Sequence, residues 1–119
     1  MEYKEYRNDD RPCIDELPKC PVETTAVLIG SKWRLLIIRD LLTGPKRFGE
    51  LKRSVGSVSQ KVLTSNLRDM EQRGLVVRRV YPEVPPRVEY SLTECGENLR
   101  PVIDAMREWG EKYQAMAKK

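Results

Sequence analysis

The 119-residue sequence predicts an α+β fold, mainly α, and three observations carry that prediction. Residues 75–93 contain two β-rich runs, Leu-Val-Val-Arg-Arg-Val-Tyr and Arg-Val-Glu-Tyr-Ser-Leu-Thr, around a tip holding Pro82, Pro85 and Pro86. Upstream, apolar residues recur at i, i+3/i+4 in successive short stretches separated by glycine and serine. Downstream, an amphipathic pattern continues for several turns toward Met116. Proline cannot donate to a strand ladder, so the tip prolines fix where the two strands stop. A stiff hairpin directly after a pair of short helices is the pattern of a winged helix-turn-helix, here with flanking helices for dimerisation.

The elements follow in order. Residues 1–19 show no sustained periodicity and read as an N-terminal arm, flexible or docked on a partner; residues 20–119 read as the domain. Pro21 suits a first helical position and Glu23 the place of a capping-box acid, so a first helix runs from Pro21 to Ile29 and stops at Gly30. Ser31 caps the second, whose stripe is Trp33, Leu36, Ile37, Leu41 and Leu42. A short helix over Arg47–Val55 carries Phe48, Leu51 and Val55 on one side. After Gly56-Ser57-Val58, Ser59 caps a fourth helix reaching Arg73, with Gly74 at its stop. Its buried stripe is Val62 or Leu63, then Leu67 and Met70. The hairpin's second strand points Val88, Tyr90 and Leu92 inward; on the first, Leu75/Val77 and Val76/Val80 both qualify as the inner set. One of Arg78 and Arg79 therefore faces outward, opposite Glu89. Thr93 opens a last helix bearing Leu99, Val102, Ile103, Met106, Trp109, Tyr113 and Met116. The expected order is α-α-α-turn-α-β-β-α.

Composition narrows the function. No apolar run approaches bilayer length, and the acidic, polar N-terminus is no signal peptide, so a cytoplasmic protein with no membrane partner is expected. There are three cysteines and no histidine, hence no Ser-His or Cys-His pair for nucleophilic catalysis. Cys13, Cys20 and Cys95 lack a CxxC and a fourth soft ligand. An enzyme, a metal site and a cofactor are all unexpected. The net charge of +4 is uneven: residues 1–24 carry four basic and seven acidic side chains, whereas residues 32–61 carry eight basic and two acidic. A basic middle suggests a polyanionic partner, because neutralising phosphates releases counterions. Charge alone favours a merely solvated face; the motifs decide otherwise.

On the fourth helix, the face opposite Leu63, Leu67 and Met70 holds Ser59, Gln60, Lys61, Thr64, Ser65 and Arg68. Gln and Arg are the side chains able to pair bidentately with adenine and guanine edges. Lys46, Arg47, Lys52 and Arg53 suit phosphates, which position without reading sequence. Arg79 and Arg87 are the wing cations, Arg87 at the tip for a minor-groove or backbone contact. The expected partner is a double-stranded, roughly palindromic DNA operator.

These residues resemble a known family. Cys20-Pro21-Val22-Glu23, Gly30-Ser31-Lys32-Trp33, Gly44-Pro45-Lys46-Arg47-Phe48, Val58-Ser59-Gln60-Lys61-Val62-Leu63-Thr64 and the run Tyr81 to Thr93, then Gly96 and Trp109-Gly110, are similar to the HxlR-type transcriptional regulators. The similarity spans about residues 20 to 113. It implies a homodimeric, MarR-like winged helix-turn-helix regulator acting as repressor or activator, with a repressor the expectation here. It also supports an interface built from the first and last helices, through Val22, Leu28, Val102, Met106, Trp109, Tyr113 and Met116. A ligand pocket among the same side chains is the competing use, and a monomer the bland one.

Cys20 matches the cysteine near the start of the family's first helix, which in some members senses oxidants or electrophiles. A helix N-terminus and the neighbouring Lys19 both favour its thiolate. Its resolving partner stays open: Cys13 folds back or pairs across the dimer, and Cys95 stands where the family usually has another residue. A small packing residue in a regulator without cysteine sensing, and a winged-helix protein-interaction module, are the alternatives.

Overall fold

The computed structural model of the chain describes residues 2–8 and 17–118. In chain order the elements are β1 (Lys4–Tyr6), α1 (Pro21–Ile29), α2 (Lys32–Leu41), β2 (Lys46–Arg47), α3 (Phe48–Val55), α4 (Gln60–Gln72), β3 (Val76–Tyr81), β4 (Arg87–Leu92), α5 (Glu94–Glu97) and α6 (Arg100–Ala117). One antiparallel sheet, ordered β1-β3-β4-β2, packs its inner face on the helices. The fold class is the expected one, with corrections to the order.

Two strands were not anticipated. Part of the N-terminal arm, Lys4–Tyr6, adds to the hairpin's edge with Glu5 opposite Arg79 and Tyr6 opposite Arg78. For these residues the expectation of a flexible or partner-docked arm is replaced by pairing with the chain's own sheet. Lys46 and Arg47 form β2 opposite Tyr90 and Glu89, so the third helix begins at Phe48 rather than Arg47. Glu50 caps it by accepting from the Arg47 N–H at 2.8 Å.

The single last helix expected from Thr93 is two helices. Pro101 has no N–H to give the Glu97 carbonyl and its ring would clash there, so the chain turns through Asn98-Leu99 and restarts. The anticipated caps are in place at Ser31, whose hydroxyl accepts from the Arg34 N–H, and at Ser59, which accepts from Val62, both at 3.1 Å. α1 has the expected Pro21 start but no side-chain cap. At the end of α4, Gly74 takes φ +76°, while Leu75 N–H bonds Met70 O and Gly74 N–H bonds Glu71 O. That paired closure needs a left-handed residue, which glycine adopts without strain.

The core is Ile29, Ile37, Ile38, Leu41, Leu51, Val55, Val58, Leu63, Leu67, Met70, Leu75, Val76, Tyr90 and Ile103. Leu63, not Val62, is α4's buried residue. Pairing places Val76, Arg78 and Val80 on one face with Leu92, Tyr90 and Val88. Val76/Val80 is therefore the inner set, although Leu75, just before the strand, is buried too. Arg79 faces outward, opposite Glu89. Val77 is buried apart from the main cluster.

Candidate nucleic-acid interface

Helix α4 turns by about 100° per residue, which sorts its side chains into four strips. Leu63, Leu67 and Met70 point into the core. Lys61, Ser65, Arg68 and Gln72 lie opposite and are exposed. Gln60, Thr64 and Glu71 form the flank toward the wing, and Val62, Asn66, Asp69 and Arg73 the flank toward α2. The outward strip and the wing-side flank hold every α4 residue expected to meet DNA. Ser59, at the N-cap, is also exposed.

The scaffold holds α4 from both flanks. On the wing side, Arg78 Nε donates to Glu71 Oε1 at 2.9 Å. On the other, Arg34 Nε donates to Asn66 Oδ1 at 2.9 Å and its Nη1 pairs with Asp69 Oδ2 at 2.6 Å. α3 is tied to α2 by the buried Asp40, which accepts from Ser54 Oγ at 2.6 Å and Arg39 Nε at 2.8 Å. Val58 plugs the turn between α3 and α4, and Gly56 takes φ +104° there. The helix pair is thus a rigid unit.

Charge is distributed unevenly across this unit. Among the described residues, Lys46, Lys52, Arg53, Lys61 and Arg68 make no ion pair, and all but the half-buried Lys46 are exposed. Arg47 likewise projects from β2 without a carboxylate partner. The wing cations are compensated. Arg79 Nε donates to Glu5 Oε1 at 2.9 Å and its guanidinium lies over the Tyr3 ring. Arg87 sits over Tyr81, 3.9 Å from the ring centroid, with Glu83 and Glu89 at 3.5 and 3.7 Å. Arg78 points inward, over Tyr6. Free positive charge therefore collects on β2, α3 and α4, and the wing contributes shape more than net charge. Sequence reasoning missed Glu5, Arg34, Asn66, Asp69 and Glu71. Acids on a helix meant to face phosphate were the available signal that those positions belong to its flanks.

Residues 28–118 match the sequence profile described as HxlR-like helix-turn-helix. The chain belongs to the HxlR family. The HTH-type transcriptional regulator YdeP of Bacillus subtilis is 48% identical over 100 residues, covering 84% of this chain and 78% of that protein. Among solved structures, the redox regulator HypR in its reduced form superposes with a TM-score of 0.78 at 44% identity, covering 83% of this chain and 98% of that one. Reduced YodB of B. subtilis, a transcriptional regulator, gives 0.69 at 40% identity, with 81% and 95% covered. HxlR membership makes this chain a DNA-binding winged helix-turn-helix transcription regulator and not an enzyme.

The remaining candidate residues of this HxlR chain lie away from α4. Cys20 is exposed at the N-cap of α1 and Cys95 is exposed on α5, while Cys13 lies outside the described residues. Val22, Met106, Trp109, Tyr113 and Met116 are exposed along α1 and α6, with the Trp109 and Tyr113 rings stacked at 5.3 Å. Leu28 and Val102 are half-buried and pack in part on their own core. Among the described residues no cluster of three or more Cys, Asp or Glu could hold a metal, and no helix is long and apolar enough to cross a membrane.

Proposed function

We propose that this chain is a cytoplasmic, homodimeric, sequence-specific repressor whose paired α4 helices enter successive major grooves of a roughly palindromic operator, about one helical turn apart. The observation that carries this reading is the outward strip of α4. Lys61, Ser65 and Arg68, flanked by Gln60 and Thr64, combine uncompensated cations with short hydrogen-bonding groups on the one face the scaffold leaves open. Gln60 and Arg68 read base edges; Lys46, Arg47, Lys52 and Arg53 contact phosphates; Arg79 and Arg87 present the wing.

Selection from a random duplex pool, followed by binding across a salt series, tests it. Gln60→Ala should lose affinity for the selected site far more than for random DNA. Lys46→Ala should weaken both and lower the salt slope by about one. Equal losses on both DNAs for Gln60→Ala would overturn the base-reading role. Failure to retain any duplex would leave a protein-interaction module.

A second reading concerns regulation. Cys20 is exposed at a helix N-terminus beside Lys19, and the similar protein HypR is described as a redox regulator. Oxidation of Cys20, with Cys13 as a candidate partner, would alter DNA affinity. Diamide treatment, non-reducing electrophoresis and an operator shift assay check this. A Cys20→Ser variant keeping the full oxidant response would sink it, as would a wild type that does not respond.

A further inference from the structure

Arg34 is the one side chain that joins α1, α2 and α4 through hydrogen bonds among the described residues. From α2 it donates by Nη1 to the Leu28 carbonyl of α1 at 3.3 Å, and by Nε to Asn66 Oδ1 of α4 at 2.9 Å. Nη1 also pairs with Asp69 Oδ2 at 2.6 Å. The Leu28 carbonyl belongs to the last turn of α1, where carbonyls have no intrahelical donor. Both acceptors on α4 are fixed in turn: Asn66 Nδ2 donates to Val62 O at 2.8 Å, and Asp69 also accepts from Arg73 Nε at 2.8 Å. A planar guanidinium serves such a set because its donors form a rigid fork; an ammonium would not hold the same acceptors in one plane. The side chain is 18% exposed, which limits screening by water.

We propose that Arg34 is a positioning residue for sequence reading, transmitting the placement of α1 to the rotational setting of α4. Its acceptors lie on the α2-facing flank of α4, so it touches no residue of the outward strip. It acts through rotation. A roll of α4 by about 10° moves a side-chain tip at the helix's outer radius by about 1 Å. That displacement takes a base-edge hydrogen bond out of range while leaving flexible phosphate contacts within reach. Arg34 therefore governs discrimination between sequences and not general affinity. Because α1 also carries Cys20 and the exposed Val22, a shift of α1 reaches the reading head through this fork.

The proposal rests on the DNA-binding reading, and the test separates the two. Wild-type protein that enriches no sequence from a random pool fails that reading. Given an enriched site, Arg34→Gln, Arg34→Lys and Asn66→Ala should each lose tenfold or more in affinity for it, while affinity for random duplex stays within about twofold. Asn66→Ala keeps the Arg34–Asp69 pair and guards against an Arg34 variant that does not fold. Hydrogen exchange supplies the second readout. Binding of the enriched site should slow exchange at residues 26–29 of α1 in the wild type and leave them unchanged in Arg34→Gln. Proportional losses on both DNAs, unaltered discrimination, or equal protection of α1 in wild type and variant would each overturn the assignment.

Discussion

Arg78 and Glu71 form the joint between α4 and the wing, Nε to Oε1 at 2.9 Å, with side chains only 18% and 16% exposed. Arg78 is also covered by the Tyr6 ring of β1 and stands opposite Tyr90 of β4. One arginine therefore meets the helix, the N-terminal strand and the second wing strand at once. Holding a wing at a set angle to a helix requires contacts that resist both twist and slide, and a charged pair covered by the Tyr6 ring supplies them.

Breaking that joint should cost stability without removing a DNA contact. Arg78→Met leaves Glu71 partly buried without its donor, and about 1–3 kcal/mol of unfolding free energy should be lost. Glu71→Gln should lose less, since the amide still accepts. A double-mutant cycle by urea titration should return a coupling of the same order. The salt slope on random DNA should not change for Arg78→Met, because its charge is already spent inward. A slope reduced by about one would place Arg78 on phosphate instead.

The Glu5–Arg79 pair makes β1 docking sensitive to acid. Hydrogen bonding from Arg79, then from Arg7, holds the Glu5 carboxyl below the ordinary glutamate range. A depressed carboxyl contributes stability above the unfolded pKa, about 4.3, that is lost as pH falls through the folded value. Protection of the residue 4–6 amides, taken relative to their intrinsic exchange rates, should thus fall as pH drops below the unfolded value, ahead of protection in β4. Glu5→Gln should be poorly protected there at every pH and show no such transition. The pair is exposed, so the rest of the fold should respond weakly.

The legible parts of this fold are those with local causes. Pro21, Ser31, Ser59 and Gly74 mark helix ends because each acts on backbone groups within four residues, and Leu67 and Met70 declare a buried face by spacing, which left Val62 and Leu63 open. β1 and β2 had no such signal. Three residues and two residues are too short for an alternation, and Glu5 reaches Arg79 across 74 positions. The break at Pro101 was visible in type but outweighed by an apolar pattern that runs through it. At the site, the exposed strip of α4 follows from its wheel. The compensation of Arg79 by Glu5, and the fork of Arg34 over Asn66 and Asp69, depend on tertiary placement and could not be read from spacing.

Gly96 is required by packing. A Cβ there would meet the Leu75 carbonyl, with Leu92 Cδ2 and Cβ at 3.1 and 3.2 Å. The Leu75 carbonyl cannot retreat, because it accepts from the Thr93 N–H at 3.0 Å, and Thr93 Oγ1 in turn donates to Gly74 O at 2.6 Å. Gly96→Ala should therefore destabilise by about 2–3 kcal/mol, through a displaced α5 and a loosened α4–β3 joint. Thermal unfolding measures the loss. A melting point within 1 °C or so of wild type, against the several degrees such a loss implies, would mean that α5 shifts freely.

The apolar face of α6 bears on assembly. Trp109, Tyr113 and Met116 are 67%, 58% and 70% exposed, and Met106 and Val22 continue the patch toward α1. Such large side chains in line exceed what one small core uses, and an exposed patch of this kind marks an interface. If the occupant is a second copy of the chain, Trp109→Ser should convert dimer to monomer in sedimentation at micromolar concentration. The melting temperature of the wild type should rise with protein concentration, and that dependence should vanish in the variant. Binding to a palindromic site should fall steeply while binding to a half-site is kept, since α4 is untouched. A Trp109→Ser protein that still sediments as a dimer would move the interface elsewhere. A wild type that sediments as a monomer at all concentrations would leave α6 free for another partner.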